Sequence, residues 1–207
     1  MTGESAVPWQ GVLPERSGYL DSRELMEEAV RLATESVRNG WGGPFGAVIV
    51  KDGEIVARGQ NRVLLTGDVT AHAEIEVIRK AVQVLNPYAP SIPEERQNEA
   101  HLELVPRPEG SPDPAPMRAR MLMGHELYTS GAPCPMCMGA IYVARLDRVH
   151  YSCGVDAASA AGFSDAFLYE DLAKPESERG IHMQQIHPEL GERAYRAWSD
   201  KADHHPY

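Results

Sequence analysis

Two short stretches, far apart in the chain, constrain what the rest can be: His72-Ala73-Glu74 and Pro133-Cys134-Pro135-Met136-Cys137. Brought together, they offer one imidazole, two thiols and one carboxylate. The first three make a ligand set for zinc. A zinc ion with three protein ligands keeps its fourth position for water, the mark of a catalytic rather than a structural site. Cys134 and Cys137 stand three apart, so a helix opening near Pro135 puts both sulfurs on one face of its first turn. Proline suits that opening because its missing N–H would have had no partner there. A helix N-terminus and a metal both favour thiolate over thiol. His72 and Glu74 are two apart, a spacing that does not share a face within a regular helix. They are expected at a strand-to-helix junction, with His72 on the metal and Glu74 reaching the water beside it.

Each fragment alone has plainer uses. A Cys-x-x-Cys can be a redox pair or half of a structural zinc site. A structural site needs a fourth soft ligand, and Cys153 is the one remaining cysteine, at the end of an expected strand. The pairing of the two motifs, with Glu74 intact, favours one catalytic Zn²⁺ per subunit, held by His72, Cys134 and Cys137.

The chain has 207 residues, 43% of them apolar, which suits one domain with a full core. It has no long apolar run that would span a membrane, and its first ten residues lack the basic and apolar regions of a signal peptide. Three cysteines, two of them needed as thiolates, point to a reducing cytoplasm. The formal net charge is −10, and the basic residues, such as Arg118 and Arg120 or Arg145 and Arg148, form no stripe. A protein that grips nucleic acid through its phosphates needs one. The expected partner is a small neutral molecule, with neither nucleic acid nor membrane.

In chain order, residues 1–20 read as an N-terminal arm, and residues 21–207 as the zinc domain. Asp21 and Glu24 form a capping box. Leu25, Met26, Ala29, Val30, Ala33 and Val37 recur at helical spacing, and Gly40 closes the helix. Phe45 to Lys51 is an apolar strand, Asp52-Gly53 a hairpin turn and Glu54 to Gln60 the return strand. Asn61 then opens a loop rich in Thr and Gly. It is either a turn residue or a carboxamide facing the donor and acceptor pair of a heterocycle. Residues 72–85 are a helix with Ile75, Ile78, Val82 and Leu85 on its core side. The stretch 86–122 reads as an insertion; eight prolines lie between Asn86 and Pro116, with room for a short helix near 94–104. Strands are expected at 125–129, 148–152 and 181–186, and helices at 135–145, 156–172 (broken at Gly162) and 190–201. The alternation gives an α/β domain, three layers deep (α/β/α) around a mixed central sheet.

Further stretches carry a family resemblance. Gly42-Gly43-Pro44-Phe45-Gly46-Ala47, Gly59-Gln60-Asn61, Thr70-Ala71-His72-Ala73-Glu74, Cys134-Pro135-Met136-Cys137-Met138-Gly139 and Ala161-Gly162-Phe163-Ser164-Asp165 resemble the bacterial guanine deaminases of the cytidine-deaminase-like superfamily. The resemblance implies a zinc-dependent hydrolase that converts guanine to xanthine and ammonia. It implies Glu74 and Asp165 as catalytic groups, and Asn61, Phe45, His72, Ala73 and Tyr207 around the substrate. It also implies a homodimer that exchanges C-terminal segments, so that Tyr207 closes the partner's pocket. The chain departs from the family pattern at Gly131, Ala132, Val143 and Ser164, none of them a ligand or the general base. Those changes leave room for another small heterocycle or nucleoside, such as cytosine, guanosine, adenosine or a triazine. A tRNA adenosine deaminase shares the zinc motifs but meets the acidic charge. A zinc-stabilised binding module would have no use for Glu74.

Overall fold

The structure, a computed structural model, describes residues 22–85, 121–163 and 165–202. Asp21, Ser164, Tyr207, the N-terminal arm and the expected helix near 94–104 therefore lie outside the described residues. The first element is α1 (Ser22–Arg38). Its buried residues are Leu25, Ala29, Leu32, Ala33 and Ser36, a stripe at the helical repeat. Val30 and Val37, expected on that stripe, face outward at 42% and 51% exposure. The helix is turned so that Leu32 and Ser36 meet the sheet instead. Ser36 can be buried because its hydroxyl donates to the Asn61 carbonyl at 2.7 Å. Gly40 ends the helix at φ +68°, as its position requires.

The hairpin forms as read: β1 (Gly46–Lys51) and β2 (Glu54–Gln60) flank Asp52 and Gly53, both at positive φ. A short helix, α2 (Val63–Thr66), follows where only loop was expected. Then come α3 (Ala73–Leu85), β3 (Glu126–Gly131), α4 (Pro135–Ala144) and β4 (Arg148–Cys153). The sheet order is β2-β1-β3-β4. β1 runs antiparallel to β2 and to β3, and β3 runs parallel to β4, with α4 as the crossover. The sheet is thus mixed.

Both faces of the central strand are covered, which is why its sequence is continuously apolar. Val48 and Val50 pack with Leu25 and Leu32 of α1, while Ala47 and Ile49 pack on the opposite face with Val77, Ala81 and Ile141 of α3 and α4. Three layers result. In α3 the fully buried stripe is Ala73, Glu74, Val77 and Ala81, with Ile78, Val82 and Leu85 partly buried beside it. Leu122, placed within the expected insertion, is fully buried, so the core resumes there.

Beyond β4 come α5 (Val155–Ala160), α6 (Ala166–Ala173) and α7 (Pro188–Asp200). Residues 181–186, expected as a strand, are irregular chain outside the described sheet. The apolar residues there, Ile181, Met183 and Ile186, are 77%, 55% and 67% exposed, and their spacing of two and then three is not the period of a strand. β2 and β4 are the edge strands of the sheet, but the segment pairs with neither. None of the described residues of 154–202 is buried. Among the described residues, no helix is long and apolar enough to cross a membrane.

One contact fixes α3 against the sheet. A side chain at Gly59 would lie 2.6 Å from the Ala73 carbonyl oxygen and 2.7 Å from the Val77 nitrogen. Only a residue without a Cβ lets β2 and α3 approach so closely. Gly59→Ala should lower the unfolding free energy by about 1–3 kcal/mol, the usual cost of overpacking, as read by urea denaturation. Because Ala73 separates His72 from Glu74, zinc content should fall with it.

Candidate active site

The junction carrying His72 and Glu74 follows a turn, not a strand as expected. Asp68 accepts hydrogen bonds from the Thr70 nitrogen at 2.8 Å and the Thr70 hydroxyl at 2.7 Å, shaping that turn. The His72 carbonyl accepts the first helical bond, from the Glu76 nitrogen. His72 therefore caps α3, with Glu74 in the first turn. The other half forms as the residues dictate: Cys134 is the N-cap of α4, in extended conformation, and Pro135 takes the first helical position.

The two helix starts meet. His72 Nδ1 lies 3.5 Å from Cys137 Sγ and 3.7 Å from Cys134 Sγ. Around a tetrahedral zinc ion, the Zn–N and Zn–S bond lengths place nitrogen and sulfur about 3.6 Å apart. All three candidate ligand atoms lie within 4.8 Å of one another, and Cys153 is outside the cluster. The donor set therefore fits one zinc ion with three protein ligands.

Electrostatics couple these groups. Cys134 is held down to about 4, chiefly by the hydrogen bond from Cys137 and also by His72. Cys137 is pushed up because its proton is shared with Cys134 and because it is buried. His72 is raised, first by its hydrogen bond to Cys134. Protons and a cation compete for this set, so metal binding releases protons.

Glu74 is 3% exposed. Burial raises its pKa above the usual carboxylate range. Its Oε1 accepts from the Thr129 hydroxyl at 3.3 Å, and its Oε2 lies 3.4 Å from Cys137 Sγ. His72, Glu74 and Cys134 line a cavity of about 360 Å³, near the small end of ligand pockets, which run roughly 300–1,000 Å³. Asp165 also lines it, with a pKa raised by burial and then by the nearby Cys134 charge.

Phe45 lines the cavity and meets the edge of Phe163, with ring centres 5.0 Å apart and planes at 87°. Asn61, 4% exposed, is fixed more tightly than its sequence position suggested. Its Oδ1 accepts from the Gly43 nitrogen at 3.1 Å and the Val63 nitrogen at 3.2 Å. A carbonyl oxygen has two lone pairs, and both are engaged. The carboxamide is thus left with its N–H groups as donors, rather than the donor and acceptor pair expected. The second bond, two residues on, is the Asx turn of the plainer reading.

Ala73 is packed in the core and is not among the cavity-lining residues. Tyr207 lies outside the described residues. Val63, Leu64 and Val69 line the cavity although sequence reading assigned them no role. Their signal was an apolar run inside a polar loop. Tyr169 was missed as well; its hydroxyl donates to the Pro133 carbonyl at 2.7 Å.

Residues 20–153 match the family described as the cytidine and deoxycytidylate deaminase zinc-binding region. The chain is 39% identical to the guanine deaminase of Bacillus subtilis (strain 168) over 188 residues, spanning 91% of this chain and all of that protein. A crystal structure of the Bacillus subtilis guanine deaminase superposes with a TM-score of 0.72, covering 91% of this chain and 99% of that one, at 39% identity. A tRNA-specific adenosine deaminase of Agrobacterium fabrum is 37% identical over 108 residues, which are 52% of this chain and 50% of that protein.

Cys137→Ser should reduce bound zinc far below one per chain, measured by atomic emission. Zinc affinity of the unaltered protein should weaken as pH falls, since His72, with its raised pKa, must lose its proton to bind. Affinity independent of pH between 8 and 6 would contradict this ligand set.

Proposed function

The chain belongs to the family of deaminases that share the cytidine and deoxycytidylate deaminase zinc-binding region, and on that premise we propose that it hydrolyses free guanine to xanthine and ammonia. The observation that carries this reading is a buried carboxylate, Glu74, beside a three-ligand zinc set on the wall of a cavity sized for a small ring system. Zinc, when bound, supplies Lewis-acid activation of water.

The chain's own residues do the rest. Glu74, poised by burial to hold a proton, takes one from water, gives it to the purine ring nitrogen and later passes one to the leaving amine. One water enters, the bond from carbon to the exocyclic nitrogen breaks, and ammonia leaves. Asn61 donates its carboxamide N–H groups to the base. Phe45 bounds the ring, with Phe163 packed edge-on against it. Asp165 contacts the 2-amino region and relays protons toward the departing ammonia. The net charge of −10 accords with an uncharged base and against a tRNA substrate.

The reading extends to a homodimer, placed in the cytoplasm by its need for reduced thiols. Three features support exchange of C-terminal segments: the stretch 154–202 with no buried residue among those described, the exposed apolar residues Ile181, Met183 and Ile186, and Tyr151 at 56% exposure on β4. In such an assembly Tyr207 closes the partner's cavity. The zinc domain then runs from residue 21 to 207, with 86–122 as an insertion whose last residues join the core.

Ammonia release from a panel of purines, pyrimidines and their nucleosides tests the substrate. Guanine should exceed every other compound; preference for a nucleoside or a pyrimidine would replace this reading. Glu74→Gln should keep zinc but lose turnover by about 10²-fold or more, the range of general acid–base transfer. A zinc-loaded variant with normal turnover would remove Glu74 from its role. Deleting residues 203–207 should lower kcat/KM for guanine, and unchanged kinetics would exclude Tyr207 from the site.

A further inference from the structure

We propose that Tyr169 is a positioning residue that holds Asp165 at the cavity by donating its phenolic hydrogen to the Pro133 carbonyl. Asp165 immediately precedes α6, and the Tyr169 nitrogen donates back to the Asp165 carbonyl. The two residues are four apart, one helical turn, and so share a face of α6. From that face Asp165 reaches the cavity wall, while Tyr169 reaches the carbonyl of Pro133, the residue before Cys134. The Asp165 carboxylate makes no side-chain cap bond to its own helix, which leaves it available to the cavity.

α6 needs such an anchor. It contributes no buried residue to the core. Its position therefore rests on specific contacts at either end of Asp165. Two residues before it, Phe163 meets Phe45 edge-on. Four residues after it, the Tyr169 hydroxyl meets Pro133 at 2.7 Å, a near-ideal length for an O–H donor. Pro133 is buried and adjoins the ligand Cys134, so its carbonyl is a fixed point tied to the metal set. The hydroxyl thereby sets the distance between Asp165 and the zinc ligands.

The role of Asp165 rests on the deaminase reading above, so the test separates the two. In Tyr169→Phe, which removes only the hydroxyl, zinc content should stay the same. The value of kcat/KM for guanine should fall about five- to tenfold, the worth of one neutral hydrogen bond. In an Asp165→Asn background the same substitution should cause no further loss, because the two act as a unit. Hydrogen exchange at the Leu168 and Tyr169 amides, which both donate to the Asp165 carbonyl, should quicken in Tyr169→Phe. An equal loss in both backgrounds would overturn the proposal, as would unchanged activity. Failure of the unaltered protein to release ammonia from guanine would end the guanine reading alone. Exchange would then decide for Tyr169 if faster in the variant, and against it if unchanged.

Discussion

The constraint the rest of the structure serves is the burial of an acid next to two thiols. Glu74, Cys134 and Cys137 are all buried, and His72 is half-buried beside them. Isolated buried carboxylates are costly and either find partners or take up protons. Here two helix N-termini converge on the group, each with its positive dipole end directed at the cluster. A divalent cation held by His72, Cys134 and Cys137 would offset the two thiolate charges. The parallel β3–α4–β4 unit and the close approach of β2 to α3 at Gly59 exist to hold those two helix starts in contact.

What was legible in the sequence was what local chemistry decides. Pro135 after Cys134 fixed the start of α4, because the N–H that proline lacks is not needed there. Asp52-Gly53 fixed the hairpin, because both residues sit at positive φ. What was misread depended on distant partners. The apolar stripe of α1 was shifted in phase, since Ser36, polar on paper, is buried against the Asn61 carbonyl, while Val30 and Val37 face out. The strand expected at 181–186 has apolar residues but no strand period, since Met183 and Ile186 stand three apart, and all of them are exposed. The four residues of α2 are too few for a periodic signal.

The site itself divides in the same way. His72, Glu74, Cys134 and Cys137 were identifiable because metal chemistry demands those side chains at those spacings. Asn61 was identifiable as a polar residue at a strand end, but its presentation was not, since two backbone N–H groups from Gly43 and Val63 decide which end of the carboxamide is free. Tyr169 carried no sequence signal at all. A tyrosine in a short helix declares nothing until the Pro133 carbonyl is seen opposite its hydroxyl.

The absence of buried side chains over the described part of 154–202 has a consequence for how this scaffold can change. The reacting apparatus is built into the sheet and its covering helices, where altering one methylene disturbs many neighbours. The wall formed by Phe163 and Asp165 belongs instead to a stretch whose replacement leaves the interior intact. Ligand preference can therefore be altered around Phe163 at small cost to the fold of the chain, while Asp165 and the metal ligands beneath are kept.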